Sequence, residues 1–216
     1  NFKFKLNMKK VFLAAIAVLG FMTTQAQEVK YGAKVGLNVA TLNGDVEDAK
    51  SLIGAHLGGF VEIKINEKFA FQPELLYSMQ GAKSEYSESE PNYSYSEESK
   101  FKFGYLNLPL MAKYFATEKL FIEAGPQIGF LMSAKNEFKF SETFMGYTES
   151  ASGDDDVKDD LKSIDFGLNF GFGYEFTENV FASARYNVGL SDINDVQGSD
   201  MKIQNGVLQF SVGYKF

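Results

Sequence analysis

The stretch from Ile164 to Phe176 constrains the fold of this chain more than any other. Its sequence, IDFGLNFGFGYEF, alternates large apolar residues with glycine or polar residues. Because successive side chains of a β-strand point to opposite faces, one face of such a strand is wholly apolar. A tilted strand of this length matches the hydrocarbon thickness of a bilayer, so the pattern predicts a membrane-spanning barrel strand. The residues of the predicted lipid-facing side are Ile164, Phe166, Leu168, Phe170, Phe172, Tyr174 and Phe176.

The composition favours strands and disfavours several other classes of protein. The 216 residues include 22 Phe, 11 Tyr and 20 Gly but only 4 Pro. The sequence contains no Cys, which excludes disulfides and thiolate metal sites. No apolar run reaches the roughly 18 residues that a spanning helix needs. The net charge of −7 argues against a nucleic-acid partner, since no basic face is available to displace counterions.

Residues 8–26 have the pattern of a secretory signal peptide. Lys9 and Lys10 follow Met8, an apolar stretch covers residues 11–22, and small residues precede a predicted cleavage site after Ala26. Residues 1–7 are interpreted as upstream sequence, and residues 27–216 as one barrel domain. Removal of residues 1–26 takes away four lysines and changes the net charge from −7 to −11.

Seven further segments alternate in the same way, which predicts an eight-stranded antiparallel up-and-down transmembrane β-barrel. An even number of strands is typical of bacterial outer-membrane barrels. Pro73 and Pro109 fall inside predicted strands, where proline usually marks a bulge or an edge. The eight predicted strands are Lys30–Thr41, Gly54–Ile65, Phe69–Lys83, Lys100–Phe115, Leu120–Ala134, Ile164–Phe176, Val180–Ser191 and Gly206–Phe216.

The predicted connections are alternately short and long. Three short turns share a Glu at their centre: Asn66-Glu67-Lys68, Thr117-Glu118-Lys119 and Thr177-Glu178-Asn179. Long external loops are predicted at 42–53, 84–99, 135–163 and 192–202. Since short turns face the periplasm in outer-membrane barrels, both termini of the mature chain are expected in the periplasm.

The side chains predicted to point inward are polar and balanced in charge. An eight-stranded barrel is narrow enough for side chains to fill it, so these charges are expected to pair as a salt-bridged plug. Arg185 is expected at its centre, holding two carboxylates. Ser133 is also predicted to point inward. The inward charges are Lys34, Lys64, Lys113, Arg185 and Lys215 against Glu62, Glu74, Glu123, Asp165 and Glu175.

Several short motifs, in this order, resemble the PorT-like outer-membrane β-barrel family across the mature chain. The resemblance implies the barrel fold and the outer-membrane location rather than an activity. The motifs are GAKVGLN at 32–38, QPELLYS at 72–78, YLNLPL at 105–110, Gly125-Pro126, Asp165-Phe166-Gly167 and the ending GYKF at 213–216.

Four features are candidate functional elements. The terminal Phe216, after Tyr214, resembles the signal read by the barrel-assembly machinery. His56, the single histidine, is the one candidate for a near-neutral base, with Ser51 near it in the chain. The acidic run Gly153–Asp160 has oxygen ligands suited to Ca²⁺ but lacks EF-hand spacing. The Glu- and Ser-rich segment Ser84–Ser99 is expected to be mobile or weakly ordered.

Taken together, the sequence predicts a non-enzymatic, monomeric integral protein of a Gram-negative outer membrane. Its external loops are expected to contact surface lipid, ions or an envelope protein partner. No catalytic, cofactor-binding or metal-ligating residue is assigned, and no cofactor is expected. The alternatives are a small-solute porin-like channel and a lipid-modifying enzyme centred on His56. A soluble ligand-binding barrel of the lipocalin type would need a polar outer face.

Overall fold

The computed structural model describes residues 28–46 and 49–216, so the predicted signal peptide lies outside the described residues. The described chain forms nine strands and one short 3₁₀-helix, Lys158–Asp160. The strands are β1 Val29–Gly44, β2 Lys50–Lys64, β3 Phe69–Glu90, β4 Tyr93–Phe115, β5 Leu120–Phe144, β6 Tyr147–Asp156, β7 Ile164–Glu175, β8 Val180–Gly189 and β9 Ile203–Lys215.

Eight of the nine strands close into an antiparallel barrel. Each strand pairs with its neighbour in the order β1, β2, β3, β4, β5, β7, β8, β9, and β9 pairs back onto β1. Closure leaves no open edge in the barrel wall, which a bilayer requires because lipid offers backbone groups no hydrogen bonds. The remaining strand, β6, is not part of this ring and pairs with residues 135–144 of β5. The predicted eight-stranded barrel is therefore confirmed, with one additional strand outside it.

No helix within residues 28–46 and 49–216 has the length and apolar character needed to cross a membrane.

Three tight turns define one end of the barrel, here named the turn end. The side chain of Asn66, Thr117 or Thr177 opens each turn and accepts backbone N–H groups two and three residues later. The start of β1 and the end of β9 lie at the same end, where the N–H of Phe216 donates to the carbonyl of Tyr31. The opposite end, named the loop end, carries the longer connections.

The outside of the barrel is an apolar belt. The predicted lipid-facing side of residues 164–176 does face outward, with Phe172 60% exposed. Val35, Leu57 and Val212, from β1, β2 and β9, are also more than half exposed on this surface. In water such a surface would be unfavourable, whereas in lipid it is matched to its surroundings.

The predictions of a weakly ordered loop at 84–99 and of a loop throughout 135–163 were wrong. Strands β3 and β4 continue through the first segment and meet at a two-residue turn of Pro91 and Asn92. Strands β5 and β6 form a second hairpin that turns at Met145 and Gly146. Positive φ values at Asn92 (70°), Met145 (49°) and Gly146 (85°) are those of tight hairpin turns. Acid-rich composition suggested loops, but turn chemistry and cross-strand pairing prevail here.

The prediction that Ser133 points inward was also wrong. The pairing of β4 with β5 shifts by one residue, because Gly104 pairs with Ser133 while Tyr105 pairs with Leu131. This bulge reverses the alternation of β5, so Ser133 is exposed and Ala134 is buried.

The prolines within the strands lie beside interruptions of pairing. The ladder between β3 and β4 resumes only three residues after Pro73.

Candidate functional site

A cluster of aromatic rings fills the lumen at the turn end. The Phe181 ring packs edge-on against Phe60 at 5.5 Å and against Phe121 at 6.1 Å between centroids. Phe115 and Ala70 complete the cluster. Each of the three central rings lies beside a glycine on the neighbouring strand: Gly32 pairs with Phe60, Gly173 with Phe121 and Gly213 with Phe181.

These glycines provide the space that the rings occupy. A Cβ atom on Gly32 would lie 2.2 Å from the ring of Phe60, and one on Gly213 would lie 2.3 Å from the ring of Phe181. Glycines that alternate with apolar residues therefore have a packing role here. They allow large rings to cross a narrow barrel and fill it.

Above the rings, Arg185 lies at the centre of a neutral group of four charges. Its guanidinium binds both oxygens of Glu74, at 2.8 and 2.9 Å, and its Nε donates to Glu123 at 2.9 Å. Lys34 Nζ approaches Glu74 at 2.6 Å. All four side chains are almost fully buried. The predicted role of Arg185 as a holder of two carboxylates is confirmed.

A second neutral group of four lies beside the aromatic cluster. Glu62 accepts from Lys113 at 3.0 Å and from Lys215 at 2.6 Å, and Lys215 also contacts Glu175. Lys113 Nζ lies 4.3 Å from the centre of the Phe121 ring. Buried charges are tolerated when they are paired and hydrogen-bonded, and both groups satisfy that condition.

Two of the ten predicted inward charges do not join these groups. Lys64 is partly exposed at the turn end and pairs with Glu28 at 3.4 Å. Asp165 is buried towards the loop end and accepts from Asn205 Nδ2 at 2.9 Å. The prediction of one plug of five cations and five anions was therefore too simple, since strand register divides the charges.

His56 lies in the middle of the lumen within a chain of hydrogen bonds. Its Nδ1 lies 2.7 Å from Asn38 Oδ1 and its Nε2 lies 2.8 Å from Ser211 Oγ. The order serine, histidine, amide is that of a hydrolase triad, but all three residues are buried. Ser51, the predicted neighbour, is exposed and pairs with Ala82. Sequence spacing could not reveal Ser211, which is 155 positions away.

An apolar cluster covers the lumen at the loop end. It includes Phe103, Leu131 and Ile193, all nearly inaccessible, with Val157 and Leu161 from the connection that follows β6 packed against it. Beside the cluster is a half-open apolar cavity of about 320 Å³. The lumen thus has apolar side chains at both ends and polar or charged side chains between them.

Beyond the barrel, the far parts of β3, β4, β5 and β6 form a four-stranded antiparallel sheet, named the external sheet. Its hairpin sequences are nearly mirror-symmetric, and one of them pairs Ser141, Glu142 and Thr143 with Ser150, Glu149 and Thr148. Side chains that are paired across strands share a face, so the register divides the sheet into two faces.

One face of the external sheet continues the lipid-facing side of the barrel, and it is named the lysine face. Along β3 it follows Tyr77 and Met79 and then presents Lys83 and Glu85. Hydrogen bonds from Lys83 and Lys50 lower the pKa of Glu85 to about 2. Further along, the face carries serine and threonine only. Its lysines are Lys50, Lys83, Lys100, Lys102, Lys135 and Lys139.

The opposite face lies on the lumen side of the sheet and is named the aromatic–acidic face. Its rings and carboxylates are at least partly exposed, with Tyr147 83% exposed and Tyr86 and Phe144 each 57% exposed. The face consists of Tyr86, Tyr93, Tyr95, Phe140, Phe144 and Tyr147 with Glu88, Glu90, Glu97, Glu142 and Glu149.

The acidic run at Gly153–Asp160 does not bring its carboxylates together. Asp154 and Asp155 are adjacent in β6, so they point to opposite faces, and Asp154 pairs with Lys135 at 2.9 Å. Asp156 accepts the backbone N–H of Lys158. Among the residues that the structure describes, no group of three or more His, Cys, Asp or Glu side chains is arranged to hold a metal ion.

Comparison with known proteins identifies the family of this chain. Residues 25–195 match the family described as outer membrane protein beta-barrel domain. Among solved structures, the attachment invasion locus protein Ail of Yersinia pestis is similar, with 15% identity and a TM-score of 0.45 over 88% of this chain and 99% of that one. OprG from Pseudomonas aeruginosa is similar at 13% identity and a TM-score of 0.39, over 89% of this chain and 98% of that one. No curated protein matches the sequence. Since the family match covers most of its length, the chain belongs to the outer membrane protein beta-barrel domain family and is an integral protein of the outer membrane.

Proposed function

We propose that this protein is a non-enzymatic anchor in the outer membrane that displays the external sheet at the cell surface for contact with lipid and with a protein partner. The observation that carries this proposal is the two-faced external sheet above a filled barrel. The barrel attaches the protein to the membrane. The external sheet provides an additional surface, which a barrel without such a sheet would lack.

The packing of the lumen supports an anchor over a small-solute channel. Aqueous channels occur in barrels of about 16–18 strands, whereas eight strands leave room mainly for side chains. Here phenylalanine rings occupy one end, two neutral groups of four charges occupy the middle, and an apolar cluster covers the other end. An ion would have to displace paired charges to pass.

The position of His56 supports a structural role over a lipid-modifying one. A hydrolase needs its serine open to the substrate, and Ser211 is only 5% exposed. Asn38 also donates to Ser78 Oγ at 3.0 Å, so the hydrogen bonds around His56 extend across the lumen. In this proposal the hydrogen bonds that join Ser211, His56 and Asn38 hold the side chains of the lumen in place.

The lysine face supports contact with lipid headgroups. Its lysines begin directly beyond the last apolar lipid-facing residues of β3, which is the level expected for headgroup phosphates. Lysine binds phosphate as a point charge. The serine- and threonine-only rows lie farther out, where water is expected.

Orientation and assembly are part of the same proposal. The turn end, with the start of β1 and the end of β9, is proposed to face the periplasm, and Phe216 is proposed to guide assembly by the barrel-assembly machinery. The exposed aromatic pair Tyr214 and Phe216, 5.4 Å apart, supports that role. The protein is proposed to be a monomer, and membership of the PorT-like subgroup is proposed from the sequence motifs.

Single-cysteine labelling tests the proposal, because the parent contains no Cys. Ser94→Cys lies on the external sheet and Glu178→Cys lies in a turn, and both positions are exposed. We expect a membrane-impermeant maleimide to label Ser94→Cys in intact cells and Glu178→Cys only after the outer membrane is permeabilised. The reverse pattern would overturn the orientation. Ion-sized conductance steps from the purified parent in planar bilayers would favour the channel instead.

A further inference from the structure

The external sheet separates its positive charges completely by face. Within residues 82–102 and 135–156, all of which the structure describes, every lysine lies on the lysine face. The lysine face also carries acids that pair with these lysines, such as Glu137 with Lys102 at 2.6 Å. The carboxylates of the aromatic–acidic face have no cation on their own side of the sheet.

Three successive rows of this face combine rings with carboxylates. The middle row places Tyr95 between Glu88 and Glu142, with Glu149 beyond. The rows on either side place Glu97 between Tyr86 and Phe140, and Tyr93 between Glu90 and Phe144. Tyr95 therefore has a carboxylate on each side across the strands, and Tyr93 has one, Glu90.

The face contains an electrostatic cost that a cation would relieve. Glu142 and Glu149 are directly opposite each other in the pairing of β5 with β6. Like charges in that position destabilise a sheet, and no lysine on the face offsets them. Tyr95 and Tyr86 bond only to acids of their own strands, Glu97 at 2.7 Å and Glu88 at 3.2 Å.

The chemistry that fits this pattern is a planar cation. A guanidinium can stack on an aromatic ring while its edge donates hydrogen bonds to carboxylates beside the ring. An ammonium group satisfies the charge but lacks the planar edge, so arginine should be preferred to lysine.

The shape of the face favours a polypeptide over a small ligand. The residues form an open sheet surface of roughly 14 Å by 13 Å, from three strand spacings of about 4.8 Å and four rises of about 3.3 Å per residue between Tyr86 and Glu90. Small molecules are usually held in concave pockets that bury most of their surface. Several ring-and-carboxylate positions in successive rows match an extended chain that carries arginine at alternate positions.

We propose that the aromatic–acidic face binds an extended, arginine-bearing segment of a protein partner. This inference rests on the proposed surface display of the sheet and names the partner chemistry. This partner is proposed because its charge is complementary to that of the face. The face has five glutamates and no lysine, and the arginines of the partner supply the cations.

The test is titration of a fluorescent peptide of about ten residues, alternating Arg and Ser, into the purified full chain in lipid nanodiscs. Matched peptides carry Lys or Glu in place of Arg. One variant is Tyr95→Thr, and another is the double variant E97Q/E142Q on the same face. The control E98Q/E137Q removes the same number of charges from the lysine face. Each variant is first checked for the folded barrel by its heat-dependent mobility on a detergent gel.

We expect the Arg peptide to bind more tightly than the Lys peptide and the Glu peptide not to bind. Tyr95→Thr and E97Q/E142Q should each weaken binding about tenfold, as loss of stacking and of charge-assisted contacts implies, while E98Q/E137Q binds like the parent. Equal weakening by the control would reduce the effect to net charge and overturn the proposal. Equal binding of the Arg and Lys peptides, unaffected by Tyr95→Thr, would also overturn it. Dimerisation of the parent that Tyr95→Thr abolishes would assign the face to a second copy instead.

This titration does not depend on orientation in the cell. A failure of peptide binding with the expected cysteine labelling would reject the partner chemistry alone. Peptide binding together with the reverse labelling pattern would reject the proposed surface display alone.

Discussion

The lumen and the external sheet solve the same electrostatic problem in opposite ways. In the lumen, the charges around Arg185 and Glu62 form two neutral groups of four with contacts of about 3 Å or less. In the external sheet, the lysines lie on one face while the other face carries glutamates without a lysine. A buried charge must be neutralised locally, whereas an exposed one is screened by water and salt. Unbalanced charge is therefore tolerated in the sheet, whereas the balance in the lumen avoids the cost of an unpaired buried charge.

The largest effect is expected from removing the centre of the lumen. Arg185→Ala should leave Glu74 and Glu123 with Lys34 as the one cation near them. Because a buried ion pair that loses one partner destabilises a protein by about 3–5 kcal/mol, the free energy of unfolding should fall by about that amount. Urea unfolding of the protein in lipid vesicles measures this cost as a lower midpoint.

The matched control is Lys64→Ala, because Lys64 pairs with Glu28 in a partly exposed position. An exposed ion pair contributes about 0–1 kcal/mol, so this variant should unfold almost like the parent. If both variants shifted the midpoint equally, the distinction between buried and exposed charge would lose its basis.

A smaller, local effect is expected from the turn of the outer hairpin. Gly146 has a φ of 85°, and no atom outside its chain neighbours would lie within 4 Å of an added Cβ, so Gly146→Val mainly tests the backbone conformation. A left-handed residue other than glycine costs roughly 1–2 kcal/mol. Hydrogen exchange should speed up at the paired ends of β5 and β6 while the global urea midpoint stays unchanged.

Ser150→Val, at an exposed position of the same hairpin, is the control for the altered side chain. It should leave hydrogen exchange in the hairpin close to that of the parent. A lower global midpoint for Gly146→Val would show that the external sheet and the barrel unfold as one unit.

The sequence predicted the barrel better than the external sheet, for physical reasons. Alternation of residues in the wall is imposed by lipid outside and a packed lumen inside, so all eight strands were detectable, and so was Arg185. The bulge that exposes Ser133 has no strong sequence signal.

The two hairpins of the external sheet were missed because serine and glutamate are common in loops. Pro91-Asn92 and the mirror symmetry around Met145-Gly146 were the available signals. The hydrogen bond between His56 and Ser211 follows from closure of the barrel and could not be deduced from spacing.

The smallest expected effect concerns Asp192, which ties the last connection to the loop end of the barrel. Its carboxylate accepts the backbone N–H groups of Ile203 at 3.0 Å and Asn194 at 3.1 Å and binds Lys162 at 3.0 Å. These contacts, the bond from Ile203 foremost, lower the pKa of Asp192 from 3.8 to about 2. Because the folded pKa is depressed, the tie is fully present above the unfolded pKa and is lost as the pH falls through about 2. The amide proton shift of Ile203, followed by NMR, should therefore titrate near that value, and Asp192→Asn should abolish the titration. A midpoint near 3.8 in the parent would mean that the carboxylate is free in water and that this connection, unlike the lumen, is not held by charge.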